Sequence, residues 1–331
     1  MNRKERMLIL YSTILLITFL SFFSCKKNRK KETIREINVV SAYENRRIIK
    51  LSDIAQSVEY IQLSSRDSLV GVARQIFIDP ENIIVVAFKQ QFLFRRKTGE
   101  FIREIGQFGR GPNGYRFTRI NLPYNESRKT IYSGSWKEDV LEYALDGRVL
   151  KVFQKPRNIK RLGAFVWAND SVHVCYAPNF TGDDTAKLLF YNRKNDIIST
   201  ISTNDRFERN PNRYISWGEK EGWFYRFDNR LFFKELFNDT IFEIKYKKLV
   251  PKYEFFSDKY KPDSYKRNYI TNEEMKSFYL IENFFESANF LFFTLNYKGE
   301  LRAGLFDKRK KEAYITDSKK ADSFFFNIPC F

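Results

Sequence analysis

The chain has 331 residues, of which 30% are charged and 43% hydrophobic, and its mean hydropathy is −0.49. That is a soluble body long enough for one large all-β domain or two smaller ones. Phe 34 and Tyr 19 favour strands. The single histidine, His173, excludes a His-based metal cluster, a Ser/His/Asp triad and a His pair.

The first predicted element is an export signal. "MNRKERMLILYSTILLITFLSFFSC" starts with Arg3, Lys4 and Arg6, continues as an apolar run from Met7 to Phe23, and ends at Ser24 and Cys25. The run is close to the shortest membrane-spanning helix, so an uncleaved anchor is the competing reading. Residues 1–24 are expected to be removed, and 25–47, in which "KKNRKKETIRE" follows Cys25, to form a basic tether ahead of a folded body over 48–331. The net charge of +18 would ordinarily suggest nucleic acid, but an exported chain rarely meets it. Acidic glycan, lipopolysaccharide phosphate or an acidic envelope protein are the partners left.

Further along, "IGQFGRGPNGYRF" places Gly109, Gly111 and Gly114 at the spacing of a dinucleotide fingerprint. The fingerprint needs a helix directly after the glycines, because the helix N-terminus holds the pyrophosphate. Here Pro112 and the alternating "YRFTRINLP" follow, so the stretch reads as a glycine-bent loop between strands.

From "FLFRRKTGEFIREI" onward one pattern recurs: an apolar strand, a basic or glycine turn, a second apolar strand. The other copies are "VLEYALDGRVLKVF", "LLFYNRKNDIISTI", "IFEIKYKKLVPKYEF" and "LRAGLFDKRKKEAYI". The turn centres Gly99, Gly147, Asn195, Lys247 and Arg309 are roughly 50 residues apart, the last interval being longer, and two strand candidates precede each unit. Four short antiparallel strands bury too little alone, whereas radial stacking covers both faces, so the expected fold is an all-β propeller of four-stranded blades. The longer interval contains a polar insertion over 256–277, with Asn272 expected to cap a short helix before Glu273 and Glu274.

Three stretches carry a resemblance. "LSDIAQSVEYIQLSSRDSLVGVARQIFID", the loop "GRGPNGY" and "NDTIFEIKYKKLVPKY" resemble the six-bladed β-propeller lipoproteins, NHL-like in fold, of Gram-negative gut-type bacteria. The resemblance covers residues 48–331. It implies a six-bladed ring whose last blade joins "VEYIQL" to C-terminal strands; "SFFFNIP" offers only part of that blade, which is therefore expected to be incomplete. Gly114 stands where that family commonly has Glu. "FFSC" resembles a lipobox, with Phe22 in place of the usual Leu, which implies lipidation at Cys25. No Asp follows Cys25, which implies sorting to the outer membrane.

The chemistry legible in the residues is limited. No GxSxG motif is present, which disfavours a serine hydrolase. Asp183 with Asp184, and Glu273 with Glu274, are adjacent pairs whose side chains diverge, so neither reads as a calcium site or an acid/base pair. His173 and Cys175 lie in an alternating strand, where a structural histidine and a buried thiol are the ordinary outcome; a Cys175–Cys330 bridge is the alternative. No cofactor is expected. The positive signal is the run of basic residues after each outer strand: Arg110 and Arg116, then Arg157 and Arg161, then Arg209 and Arg213, then Lys259 to Arg267. In a propeller these loops share one face. Solvating charge is the plain reading; the functional one is an anion-binding ring, to which Gly111 and Gly114 add backbone N–H groups. The expected function is a lipid-anchored binding module for an acidic glycan or protein. The alternative is an NHL-like lyase or lactonase-like hydrolase with a carboxylate-bound metal.

Overall fold

The computed structural model describes residues 34–64, 72–117, 123–155, 163–179, 182–203, 205–208, 221–261 and 271–317. The described part of the chain opens on strand β1 (Arg35–Asn38) and helix α1 (Val39–Glu44), and five antiparallel sheets follow. Blade 1 is β2 (Ala73–Ile78), β3 (Asn82–Ala87), β4 (Gln91–Arg95) and β5 (Phe101–Glu104). Blade 2 begins with the short β6 (Gln107–Phe108), β7 (Gly114–Phe117) and β8 (Tyr124–Asn125), and continues as β9 (Thr130–Ser135), β10 (Val140–Ala144) and β11 (Val149–Phe153). Blade 3 is β12 (Ala164–Asn169), β13 (Val172–Tyr176), β14 (Ala186–Asn192) and β15 (Ile197–Ser202). Blade 4 is β16 (Gly222–Phe227), β17 (Arg230–Glu235), β18 (Thr240–Lys245) and β19 (Lys248–Phe256). After helix α2 (Asn272–Met275), blade 5 is β20 (Leu280–Glu286), β21 (Phe290–Tyr297), β22 (Glu300–Asp307) and β23 (Glu312–Ile315).

The expected six-bladed ring is thus corrected to five blades among the described residues. The turn chemistry follows the repeat. Gly99, Gly147, Asn195 and Lys247 all have left-handed backbone, at φ of 68°, 91°, 75° and 59°, as tight turns between antiparallel strands require. In blade 5 that conformation falls on Lys311 rather than Arg309.

Alternate residues of the strands bury aromatic and branched side chains between blades. One core joins blades 1 to 4 through Phe77, Tyr115, Tyr143, Phe190 and Phe233. A second joins blades 4 and 5 through Tyr225, Phe255, Phe284 and Phe293. Polar groups staple the same interfaces. Glu286 accepts from Tyr225 Oη at 2.9 Å and Tyr253 Oη at 2.7 Å, and its charge is balanced by Lys308 Nζ at 2.6 Å. The outer turns of blades 2 and 3 also lean on the blade before them: Arg103 Nη1 donates to Asp146 O and Asn195 Nδ2 to Gln154 O.

The first described segment corrects the expected tether of 25–47 over residues 34–47, residues 25–33 lying outside the described residues. β1 adds in parallel to the outer edge of β19, from Arg35 opposite Tyr253 to Asn38 opposite Phe256. Ile37 and Val39 are completely buried, because the alternation of "REIN" lets one apolar side chain enter the core while its neighbours face water. Arg47 then bridges Thr316 beside blade 5, and Ser64 bridges Glu100 of blade 1. Residues 34–64 are therefore a belt along blades 4, 5 and 1. "VEYIQL" within it forms no strand, yet Gly99 packs on Gln62 much as Asp146 packs on blade 1; its expected partner "SFFFNIP" lies outside the described residues.

The helix of the insertion is also shifted by one residue. Thr271, not Asn272, is the cap: its Oγ1 accepts from Glu274 N at 3.1 Å while Glu274 Oε2 accepts from Thr271 N at 2.6 Å, the reciprocal pair of a capping box.

Candidate functional site

In a blade of antiparallel strands, the loop leading to the next blade and the turn between the second and third strands emerge on the same face. The loop between blades 1 and 2 lies on that face. Gly109 N donates to Tyr115 O at 3.1 Å and Gly114 N to Gly111 O at 2.9 Å, closing residues 109–115 on themselves. Three aromatic side chains hold the loop from below and beside. Tyr143 Oη donates to Asn113 O at 2.7 Å, Tyr115 Oη to Lys89 O at 3.0 Å, and Trp136 Nε1 to Gly109 O at 2.7 Å. Tyr115 packs edge-on against both Tyr143 and Phe108.

Two glycines are needed for this shape. A Cβ on Gly106, where φ is 69°, would lie 2.9 Å from the Tyr143 ring, and one on Gly114 would lie 2.3 Å from Gly109 O. The position at which the resemblance expects Glu is thus closed to any side chain in this loop. The bonds also alter the expected backbone cradle, since the Gly114 amide is committed to Gly111 O.

Above the loop, Arg110 and Arg116 both approach Trp136, with their guanidinium carbons 5.0 and 5.1 Å from the ring centroid. Cation–π contacts of this kind contribute about 0.5–1 kcal/mol each at exposed sites. Both arginines are exposed, and among the described residues neither takes part in an ion pair. Two like charges gathered on one indole repel each other, and an anion lying between them would relieve that repulsion. Phe108, 37% exposed, flanks the same loop with Lys89 Nζ 5.3 Å from its ring. A cavity of about 620 Å³ opens beside it, lined by the loop and by Glu104, Gln107, Arg110, Asn113, Asp146 and Gly147.

The other candidate positions divide differently. Arg157, Arg161, Arg209 and Arg213 lie outside the described residues, as does Cys25. Two of the neighbouring basic residues that are described have their charge met locally: Lys155 pairs with Glu138 at 2.9 Å and Lys261 with Asp239 at 3.3 Å. Trp136 and Phe108 were not picked out by sequence reasoning; "SGSWKED" holds a tryptophan in a polar turn, and that was the available signal.

Glu273, Glu274, His173 and Cys175 are engaged in local packing and bonding. Glu274 is spent on the helix cap and Glu273 pairs with Lys276. Among the described residues no group of three or more His, Cys, Asp or Glu side chains gathers as metal ligands would. His173 is buried, stacked on Phe165, with Nε2 3.0 Å from Tyr132 Oη. Burial holds its pKa down to about 4, with Arg193 and Arg128 adding to the effect against Glu142. Cys175 is a buried free thiol, and burial pushes its pKa up.

Five sheets of four to six strands, each built on a four-stranded antiparallel blade, define a β-propeller. The chain belongs to the family described as Domain of unknown function (DUF4934), which matches residues 34–330. Its fold is similar to that of a candidate exported protein from Bacteroides fragilis, with 17% identity and a TM-score of 0.66 over 86% of this chain and 80% of that one. A member of the DUF4221 family from Bacteroides vulgatus is similar over 77% of this chain and 83% of its own, at 11% identity and a TM-score of 0.49. No curated protein matches the chain.

Proposed function

We propose that this protein is an exported, lipid-anchored propeller of the outer membrane that binds an acidic ligand on the face formed by its inter-blade loops. The observation that carries the reading is the pair Arg110 and Arg116, assembled on Trp136 without an ion-pair partner among the described residues. Export and anchoring are supported by the order of basic, apolar and small residues that ends at Cys25 and by the description of the Bacteroides fragilis relative as a candidate exported protein.

A guanidinium fork donates two parallel hydrogen bonds to a carboxylate or phosphate, and two forks on one platform hold such a group from both sides. Trp136 fixes their spacing before the ligand arrives, which reduces the ordering cost of binding.

The test is retention of the detergent-solubilised full chain on a polyanionic support. Arg110→Gln with Arg116→Gln should elute at lower salt than the wild type, and by a larger margin than Lys247→Gln with Lys248→Gln, two exposed lysines in an outer turn. Equal shifts for the two pairs would reduce the arginines to general surface charge. In the native host, Cys25→Ala should abolish membrane association of the mature chain; unchanged processing and fractionation would remove the lipid anchor from the proposal.

A further inference from the structure

We infer that the acidic ligand is a glycan carrying uronic acid units, seated with its carboxylate on Arg110 and Arg116 and a sugar face against Phe108. This rests on the anion-binding reading above and narrows it by the chemistry of everything else around the two arginines.

Three features discriminate between classes of acidic ligand. The cavity beside Arg110 is lined by Glu104 and Asp146. A carboxylate is an acceptor with about four lone-pair sites, so these two repel a densely acidic peptide but receive hydroxyl donors. Asp146 is already held by Arg148, from its backbone N at 3.0 Å and its Nε at 2.7 Å, and the single Tyr115 Oη proton goes to Lys89 O at 3.0 Å rather than to Glu104 at 3.5 Å, which leaves acceptor capacity on both carboxylates. The two amides lining the same cavity, Gln107 and Asn113, each bring a donor and an acceptor, the mixed demand that a sugar hydroxyl makes.

Phe108 is the third feature. An aromatic ring at 37% exposure, with Tyr115 packed edge-on at 6.2 Å between centroids and Lys89 Nζ 5.3 Å from its centroid, is an apolar platform in a charged setting, and the side away from Lys89 is the one a sugar would use. The C–H face of a pyranose is an apolar surface of matching size, and its equatorial hydroxyls point sideways toward hydrogen-bonding groups. The arginine pair on Trp136 suits one carboxylate, and the two carboxylates and two amides that line the cavity with Arg110 suit several hydroxyls. A polyphosphate or polyglutamate leaves Glu104, Asp146 and Phe108 unmatched.

The experiment is calorimetric titration of the detergent-solubilised full chain with four probes. These are a galacturonate hexamer, a glucuronate-containing hyaluronan hexamer, the methyl-esterified galacturonate hexamer, and hexaglutamate. At least one uronate hexamer should bind at least about tenfold more tightly than hexaglutamate, and esterification should weaken galacturonate binding. Arg110→Gln with Arg116→Gln should lower uronate affinity by about fivefold or more, each exposed charge contact contributing at most about 1 kcal/mol. Phe108→Ala should weaken uronate binding while leaving hexaglutamate binding and the unfolding midpoint unchanged.

Hexaglutamate binding as tightly as the uronates would overturn the glycan assignment while leaving the anion site standing. Equal affinity for the free and esterified galacturonates would remove the role of the arginine pair. Absence of binding by both uronates overturns the inference outright, and the elution test above then decides separately whether any acidic ligand is involved.

Discussion

Lowering the pH from 7 to 5 should destabilise the folded body by about 2 kcal/mol through one side chain, His173. The chain has a single histidine, so no other side chain of ordinary pKa titrates in that interval. Folded His173 holds its pKa near 4 against an ordinary value of 6.5. His173 is 1% exposed, among Phe153, Phe165 and Tyr132, and among the described residues Nδ1 has no hydrogen-bond partner. Tyr132 has one proton, and the Glu142 carboxylate 3.2 Å away is its stronger acceptor, which leaves Nε2 donating to the tyrosine oxygen. A second proton would go to Nδ1, against aromatic rings, and the positive charges of Arg193, Arg128 and Lys151 oppose it. Because the folded pKa is depressed, the unfolded chain binds the proton first: stability is complete above pH 6.5 and falls as the pH is lowered toward 4, by about 3 kcal/mol in the limit. Urea unfolding of the body from Ile34 onward, at pH 7 and pH 5, measures the loss. His173→Phe keeps the ring packing and leaves Tyr132 donating to Glu142, and it should lose little stability over the same interval. If that variant loses as much as the wild type, the buried imidazole is not the cause.

Gly114→Ala brings a Cβ within 2.3 Å of Gly109 O and should cost about 1–3 kcal/mol together with polyanion binding. Gly111→Ala, with nothing within 4 Å of its Cβ, should unfold within about 0.5 kcal/mol of the wild type, and the pair of melting curves checks both. Glu142→Ala leaves Arg193, Arg128, Thr130 and Tyr132 facing a vacated buried site and should lower the unfolding free energy by about 3 kcal/mol. Burial pushes the Glu142 carboxyl up, but Arg193 and Arg128 outweigh it and hold the pKa below the ordinary value. Wild type should therefore lose this contribution as the pH falls below the ordinary carboxylate range, and the Ala variant should not.

The sequence by itself determined the local physics of this protein. Strand alternation and the turns at Gly99, Gly147, Asn195 and Lys247 settled the blade and its repeat, because a four-stranded antiparallel sheet is written in contacts between neighbouring residues. The loop "GRGPNG" was legible as a bend for the same reason. Tertiary structure decided what depends on residues far apart in the chain. Residues 35–47 read as basic tether because their charges are local, while the edge of β19 that β1 completes is more than 200 residues away. Arg110 and Arg116 looked equivalent to every other basic loop residue until folding brought Trp136 beneath both of them and gave Lys155 and Lys261 acidic partners. Charge can be counted along a chain, but whether it is neutralised depends on which side chains the blades bring within a few ångströms of it, and only the packed ring fixes that.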